Sequence, residues 1–350
     1  RATFRTTFRL LLVAILSLVL LEFGIRVFLP QQRFAVTVNI WDRDLGTRQR
    51  PGVRGFIRCP EYAIDLVINS HGLRDREFAY AKPAGTRRIL CLGDSFTCGY
   101  GVQAEQTFAK VLERRLLAEE GQGASEVINA GVGSTGTAHQ HAFFRREGWR
   151  YEPDVVVLCF FPGNDFWDSA ISGLYTVSSD SLIKSEAPLT TGHRIQQLVR
   201  WIPCHEALFA HSHLVNLLKH RVAARHFRDL ARQEADTARR QETLARRDHL
   251  TRHLLAALNH CCQRTSCRLV VMVIPAPDVA SLPARTAALR DDLAGLGIPC
   301  LDLGPCLQEA AERGERLYYS RDGHWTAAGH RVVADALHDF LLRLEGIHRG

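Results

Sequence analysis

Two short stretches, far apart in the chain, hold the residue types that acyl-transfer chemistry needs. Gly93-Asp94-Ser95-Phe96-Thr97 places a serine hydroxyl in a turn directly after an apolar run, and Asp322-Gly323-His324-Trp325 sets a carboxylate and an imidazole two residues apart. A serine hydroxyl is a poor nucleophile until a base takes its proton, and that base needs a partner to fix its tautomer and steady its charge. Ser95, His324 and Asp322 can fill these three roles. Two further stretches can hold the oxyanion that forms when such a nucleophile attacks a carbonyl. Asn129-Ala130-Gly131-Val132-Gly133-Ser134-Thr135-Gly136 is a loop with three glycines, able to bring backbone N–H groups close to a substrate. Pro162-Gly163-Asn164-Asp165 offers a side-chain amide. Each stretch alone is ordinary, and a Gly-Asp-Ser triplet arises by chance in roughly one chain of this length in ten. Only their combination is specific.

Residues so far apart must be gathered by a scaffold. Arg88 to Leu92, Glu126 to Asn129, Val155 to Phe161, Leu269 to Ile274 and Cys300 to Leu303 are short apolar runs that read as buried strands. Helical patterns alternate with them at Gln106 to Glu120, Thr137 to Trp149, Leu244 to Cys261, Ala284 to Leu296 and Thr326 to about Leu344. Such alternation predicts an α/β fold of three layers, α/β/α, around a mainly parallel five-stranded sheet with right-handed crossovers. Ligands of such sheets bind beyond the carboxyl ends of the strands, and all four stretches lie there or just before the closing helix. Residues 31–86 read as a strand-and-turn lead-in, and residues 87–345 as the main domain. A largely helical insertion at about 166–243 interrupts the alternation.

The net charge of +7 is concentrated between Arg194 and Arg247, in the second half of that insertion and just beyond it, where eleven Arg and Lys against five Asp and Glu leave an excess of +6. No helix-turn-helix, zinc-finger or RNA-binding signature accompanies it, so nucleic acid is not expected as a partner. Its histidines, His205, His211, His213 and His220, lack the carboxylates or cysteines that would complete a metal site, and no metal or cofactor is expected. At the other end, Leu10 to Leu29 is a 20-residue stretch with only Glu22 and Arg26 charged, preceded by basic residues. That length spans a bilayer, and no small-x-small cleavage site follows. Residues 1–30 are therefore expected to be a single-pass anchor in a lipid bilayer, with the main domain outside the cytoplasm, on the periplasmic side. Cys91 and Cys159 lie within strand runs and read as small buried hydrophobes, while Cys262 and Cys267 are close enough in sequence to bridge in an oxidising compartment.

The four stretches, in this order, resemble the blocks of the SGNH (GDSL-like) hydrolase superfamily, whose fold is flavodoxin-like. The resemblance covers residues 87–345 apart from the insertion. It implies that Ser95 is the nucleophile, His324 the base and Asp322 its orienter, with Asn164 as an oxyanion donor. The family's glycine aligns best with Ser134, beside Gly133, so a backbone N–H from this pair completes the hole. Most members space the last Asp and His three apart. The spacing of two here, followed by Trp325, is similar to alginate-type O-acetyltransferases. The implied function is a serine esterase acting on an acetyl or other small acyl group of an envelope or exported polysaccharide. The alternatives are acyl transfer to a polysaccharide hydroxyl, and polysaccharide binding without catalysis. The lead-in segment Asn69-Ser70-His71-Gly72-Leu73-Arg74-Asp75 is similar to one that precedes the hydrolase domain in anchored bacterial members. It is expected to pack on the sheet edge, with Arg74 contacting an anionic substrate group as the alternative.

Overall fold

The computed structural model describes residues 2–34, 38–121, 123–189, 191–233, 237–275 and 282–346. Five strands form the central sheet: β1 (Arg87–Gly93), β2 (Ser125–Gly131), β3 (Val155–Phe160), β4 (Arg268–Val273) and β5 (Cys300–Asp302). Their spatial order is β2-β1-β3-β4-β5, and every pairing is parallel. The order reverses between β1 and β3. That switch point opens a crevice beyond their carboxyl ends, where such sheets bind ligands.

The helices follow from the same alternation: α1 (Ala2–Phe28), α2 (Phe108–Glu120), α3 (Thr137–Arg146), α4 (Asp165–Ile171), α5 (His213–Gln233), α6 (Thr237–Arg264), α7 (Leu282–Gly295), α8 (Gly304–Glu312) and α9 (Ala327–Leu344). Strand side chains point alternately to the two faces. Ile89, Cys91, Val127, Val157 and Met272 pack against α2, α8 and α9. Leu90, Leu92, Ile128, Val156 and Val271 pack against α3, α6 and α7. With both faces covered, the strands carry almost unbroken apolar runs, which is why they are visible in the sequence. The sequence patterning misses α8, although Pro305 in its first turn is a start signal. Cys91 and Cys159 are fully buried, and Cys262 and Cys267 remain free thiols.

The lead-in folds into a three-stranded antiparallel sheet of Arg33–Phe34, Arg54–Arg58 and Ala63–Val67, and a hairpin of Asn39–Asp42 with Gly46–Gln49. The 69–75 segment binds the exposed side of β2, where the Asp75 carboxylate accepts the Asn129 N–H at 2.8 Å and pairs with Lys110 at 2.9 Å. The sheet edge is thereby capped. After α4 come a hairpin, Tyr175–Ser178 with Ser181–Lys184, and the helices Thr191–Val199, His205–His211 and α5. Residues 234–236 of the basic stretch lie outside the described residues. His205, His213 and His220 do not converge on one another: His213 Nδ1 accepts the Gln31 N–H at 2.8 Å, and the other two rings meet Ile202 O and the Gln31 side chain.

Candidate active site

β1 ends at Gly93, where a Cβ would lie 2.1 Å from the Thr97 hydroxyl, so only glycine lets the chain turn there. Asp94 then caps a single helical turn, Ser95–Cys98, by accepting the Phe96 N–H at 2.9 Å. Gly99 closes the turn in the left-handed region at φ +83°. Ser95 thus stands half-buried on the first residue of a short turn at the β1 switch point.

The partner group comes from the loop before α9. Gly323, at φ +81°, bends the backbone so that Asp322 and His324 face each other across the two-residue spacing. His324 Nδ1 is hydrogen-bonded to Asp322 Oδ1, and Ser95 Oγ lies 2.7 Å from His324 Nε2. The three residues form one unbroken relay. Trp325 is fully buried behind it, between Phe96 and Phe108, and Phe96 also packs on His324 with ring centroids 5.0 Å apart. Burial alone would raise the Asp322 carboxyl, but hydrogen bonds from His324 and Tyr62 hold it below its ordinary value, and so ionised.

Much of what holds Asp322 comes from the lead-in. Tyr62 donates its hydroxyl to Asp322 Oδ2 at 2.9 Å, and the Gln32 amide lies 3.3 Å from the same oxygen. Glu61 accepts the backbone N–H groups of Arg321 and Asp322 at 3.0 and 2.9 Å, fixing the loop itself. The 69–75 segment holds the loop on the other side of Ser95. The Arg74 side chain, 1 % exposed, donates to the carbonyls of Cys98, Gly99 and Val102 at 2.9, 2.6 and 2.7 Å, and to Asp65 O at 3.1 Å. Its burial among carbonyls removes it as a substrate contact. Sequence reasoning did not reach Gln32, Glu61 or Tyr62, because their contacts bridge some 260 to 290 residues and no local motif marks them.

The third wall is formed by the loops after β2 and β3. Asn164 donates one amide hydrogen to Asp94 Oδ2 at 3.0 Å, which fixes the amide at the β1/β3 crevice and leaves the second hydrogen for another acceptor. Ser134 lies at the exposed crest of the glycine loop in the left-handed region, at φ +61°. Gly133 is buried and packs against Tyr100 closely enough to exclude a Cβ. A cavity of about 50 Å³ on the far side of this loop is lined by Gln49, His71, Thr135, His139 and Gln140, and by none of Ser95, Asn164 or His324. It has room for a few waters rather than a sugar.

Three carboxyls share the interior beside Asn164. Burial raises Asp94 and, with repulsion from Asp94 added, lifts Asp165 well above the ordinary range. Asp168, pushed by burial and by Asp94, rises from 3.8 to about 7. The folded chain therefore keeps a proton on Asp168 that the unfolded chain releases, and the contribution of this group to stability is greatest below about pH 4 and declines as pH rises towards 7. Asp168→Asn is expected to match the parent near pH 4 and to exceed it by about 1–3 kcal/mol at pH 8. Urea unfolding at both pH values measures this. An equal difference at the two would contradict it.

A parallel α/β sheet with a serine, an imidazole and a carboxylate hydrogen-bonded in series beyond its strand ends is an arrangement able to support nucleophilic-serine chemistry. The model of the GDSL-like lipase/acylhydrolase family matches residues 91–332, and the chain belongs to that family of ester-cleaving enzymes. No curated protein matches the sequence. Solved structures with a similar fold include an acetylxylan esterase from Geobacillus stearothermophilus, 14% identical, with 77% of this chain and 100% of that one covered and a TM-score of 0.44. A psychrotrophic esterase from Pseudoalteromonas sp. is 12% identical, with 74% and 99% covered and a TM-score of 0.41.

Proposed function

We propose that the protein is a serine esterase that removes acetyl or other small acyl groups from an envelope or exported polysaccharide through an acyl-enzyme on Ser95. The observation that carries this reading is the relay from Ser95 Oγ to His324 Nε2, 2.7 Å, and on to Asp322. His324 takes the Ser95 proton as Oγ attacks the ester carbonyl, and Asp322 steadies the resulting imidazolium. The oxyanion is met by the backbone N–H of Ser95, the second amide hydrogen of Asn164 and the N–H of Ser134. The adjacent Gly133 offers the other candidate backbone N–H of this loop. Collapse expels the sugar hydroxyl with the proton from His324. Water, deprotonated by the same imidazole, then attacks the acyl-serine and releases the carboxylic acid.

Location sets the substrate class. The α1 span Thr3–Phe28 reaches a mean hydropathy of 2.4 over its most apolar 18 residues, and apart from Ile25 its large apolar side chains are exposed. A bilayer supplies the missing environment, and a catalytic domain tethered outside the cytoplasm meets acylated envelope or exported carbohydrate. The short Asp322–His324 spacing supports a second reading, transfer of the acyl group to a sugar hydroxyl. Full-length protein in lipid nanodiscs should release acetate from an aryl acetate and from an acetylated oligosaccharide, at rates that added unacetylated oligosaccharide leaves unchanged. Appearance of acetylated acceptor by mass spectrometry would favour transfer. Absence of both products would defeat the proposal.

A further inference from the structure

The two charges in the second half of α1, Glu22 and Arg26, are both spent on the insertion. Glu22 accepts the Ser212 hydroxyl at 2.9 Å and the N–H groups of His213 and Leu214 at 2.8 Å each, and so caps the start of α5. Arg26 donates to His211 O at 2.9 Å. The charge-free run of α1, Leu10 to Leu21, is about 18 Å long at about 1.5 Å per residue, with Arg5 and Arg9 before it and Glu22 and Arg26 after it. Glu22 therefore stands at the domain end of the apolar run, where charged side chains reach the headgroup layer. The residues it holds stand there with it.

These residues have the composition of a membrane interface. Trp201 is 85% exposed, and Leu198, Ile202, Leu208, Leu218 and Val222 are also exposed. Arg194, Arg200, Arg221 and Arg225 are exposed among them, and Leu218 and Val222 lie four apart on one side of α5. Water penalises so many bare apolar side chains, and tryptophan with arginine is the pair that headgroup layers favour.

We propose that residues 194–225 form a second membrane contact, lying in the headgroup layer of an anionic bilayer and fixing the domain's orientation and height above it. The inference rests on the reading of α1 as a membrane helix. None of the five tryptophans lies in α1, so bromolipid quenching reports on the interface alone. Full-length protein and its Trp201→Phe variant would be reconstituted in nanodiscs of phosphatidylcholine and phosphatidylglycerol, with and without bromine at mid-chain. The fluorescence lost in the variant should be quenched at least twofold by brominated lipid, and more strongly as phosphatidylglycerol increases. An unquenched difference signal, or one that responds to an acidic polysaccharide instead, would overturn the proposal. Alkaline extraction separates the two ideas: extracted protein defeats the anchor, whereas retained protein with unquenched Trp201 defeats only the platform.

A different cluster carries a second inference. His249 and His253 stand four apart on α6, and Asp180 reaches them from the turn of the 175–184 hairpin. His253 Nδ1 hydrogen-bonds to His249 O at 2.9 Å, which directs the Nε2 electron pair towards Asp180 Oδ1, 3.1 Å away; His249 Nε2 lies 3.9 Å from the same oxygen. Tetrahedral zinc sites need ligand atoms roughly 3.3 Å apart, given bonds of about 2.0–2.1 Å. The geometry points to a site for Zn²⁺ or a similar divalent transition ion, clipping the hairpin to α6. Chelator-stripped full-length protein titrated with Zn²⁺ should bind one more ion than the His249→Ala/His253→Ala variant, and its melting temperature should rise where the variant's does not. Equal stoichiometry and equal melting shifts would overturn the site.

Discussion

Ser95→Ala is expected to lower ester hydrolysis by at least about 10⁴-fold while leaving the fold intact, because the side chain is half-buried at the start of a turn whose capping bond comes from Asp94. Removing the nucleophile disables the relay as a unit, and only the oxyanion donors and substrate binding remain. Asp322→Asn should lose about 10³–10⁴-fold by a different route. Its amide would still accept from one side, but its donating edge would favour the wrong tautomer of His324. The Tyr62 and Glu61 contacts would keep the loop in place. Turnover of an aryl acetate, with circular dichroism and melting temperature as fold controls, measures both. A Ser95→Ala variant within tenfold of the parent would contradict the assignment.

The second large effect is on stability. Arg74→Met is expected to cost about 3–5 kcal/mol in urea unfolding, since it strips three buried carbonyls and a part-buried one of their donor. Activity per folded molecule should fall with it. The loop that Arg74 holds carries Tyr100, whose ring centroid lies 5.5 Å from that of His324, and Gly101, whose carbonyl accepts the Tyr319 hydroxyl at 3.0 Å. Arg74→Lys should recover little, because a single ammonium cannot span acceptors that a forked guanidinium reaches together. A loss below about 1 kcal/mol for the Met variant would show that the buried cation is not what closes this loop.

The central sheet was legible because its strands are buried on both faces, so each reads as an apolar run: all five runs from Arg88 to Leu303 coincide with β1–β5 within a few residues. The stretches around Ser95, Ser134 and Asn164 were legible for a related reason. They must follow strand ends, and the order of strands brings those ends together. What remained hidden depends on long-range contact. Nothing local to Tyr62 or Glu61 says that each reaches the loop bearing Asp322. Asp94 and Asp165 lay within the stretches but drew attention only as neighbours of Ser95 and Asn164. The basic insertion could be bounded by charge, yet its link to α1 through Glu22 and Arg26 is a matter of packing. The same two charges, read alone, look like an i,i+4 pair, and in the structure they do lie 3.4 Å apart as well.

The central claim is that Ser95 becomes acylated with His324 as its base. Full-length protein treated with a fluorophosphonate and mapped by mass spectrometry tests it most directly, because the probe traps a serine only when a neighbouring base activates it. The adduct is predicted on the peptide containing Ser95, absent in Ser95→Ala and strongly reduced in His324→Ala. Labelling of another residue, or no labelling of protein shown to be folded, would contradict the account.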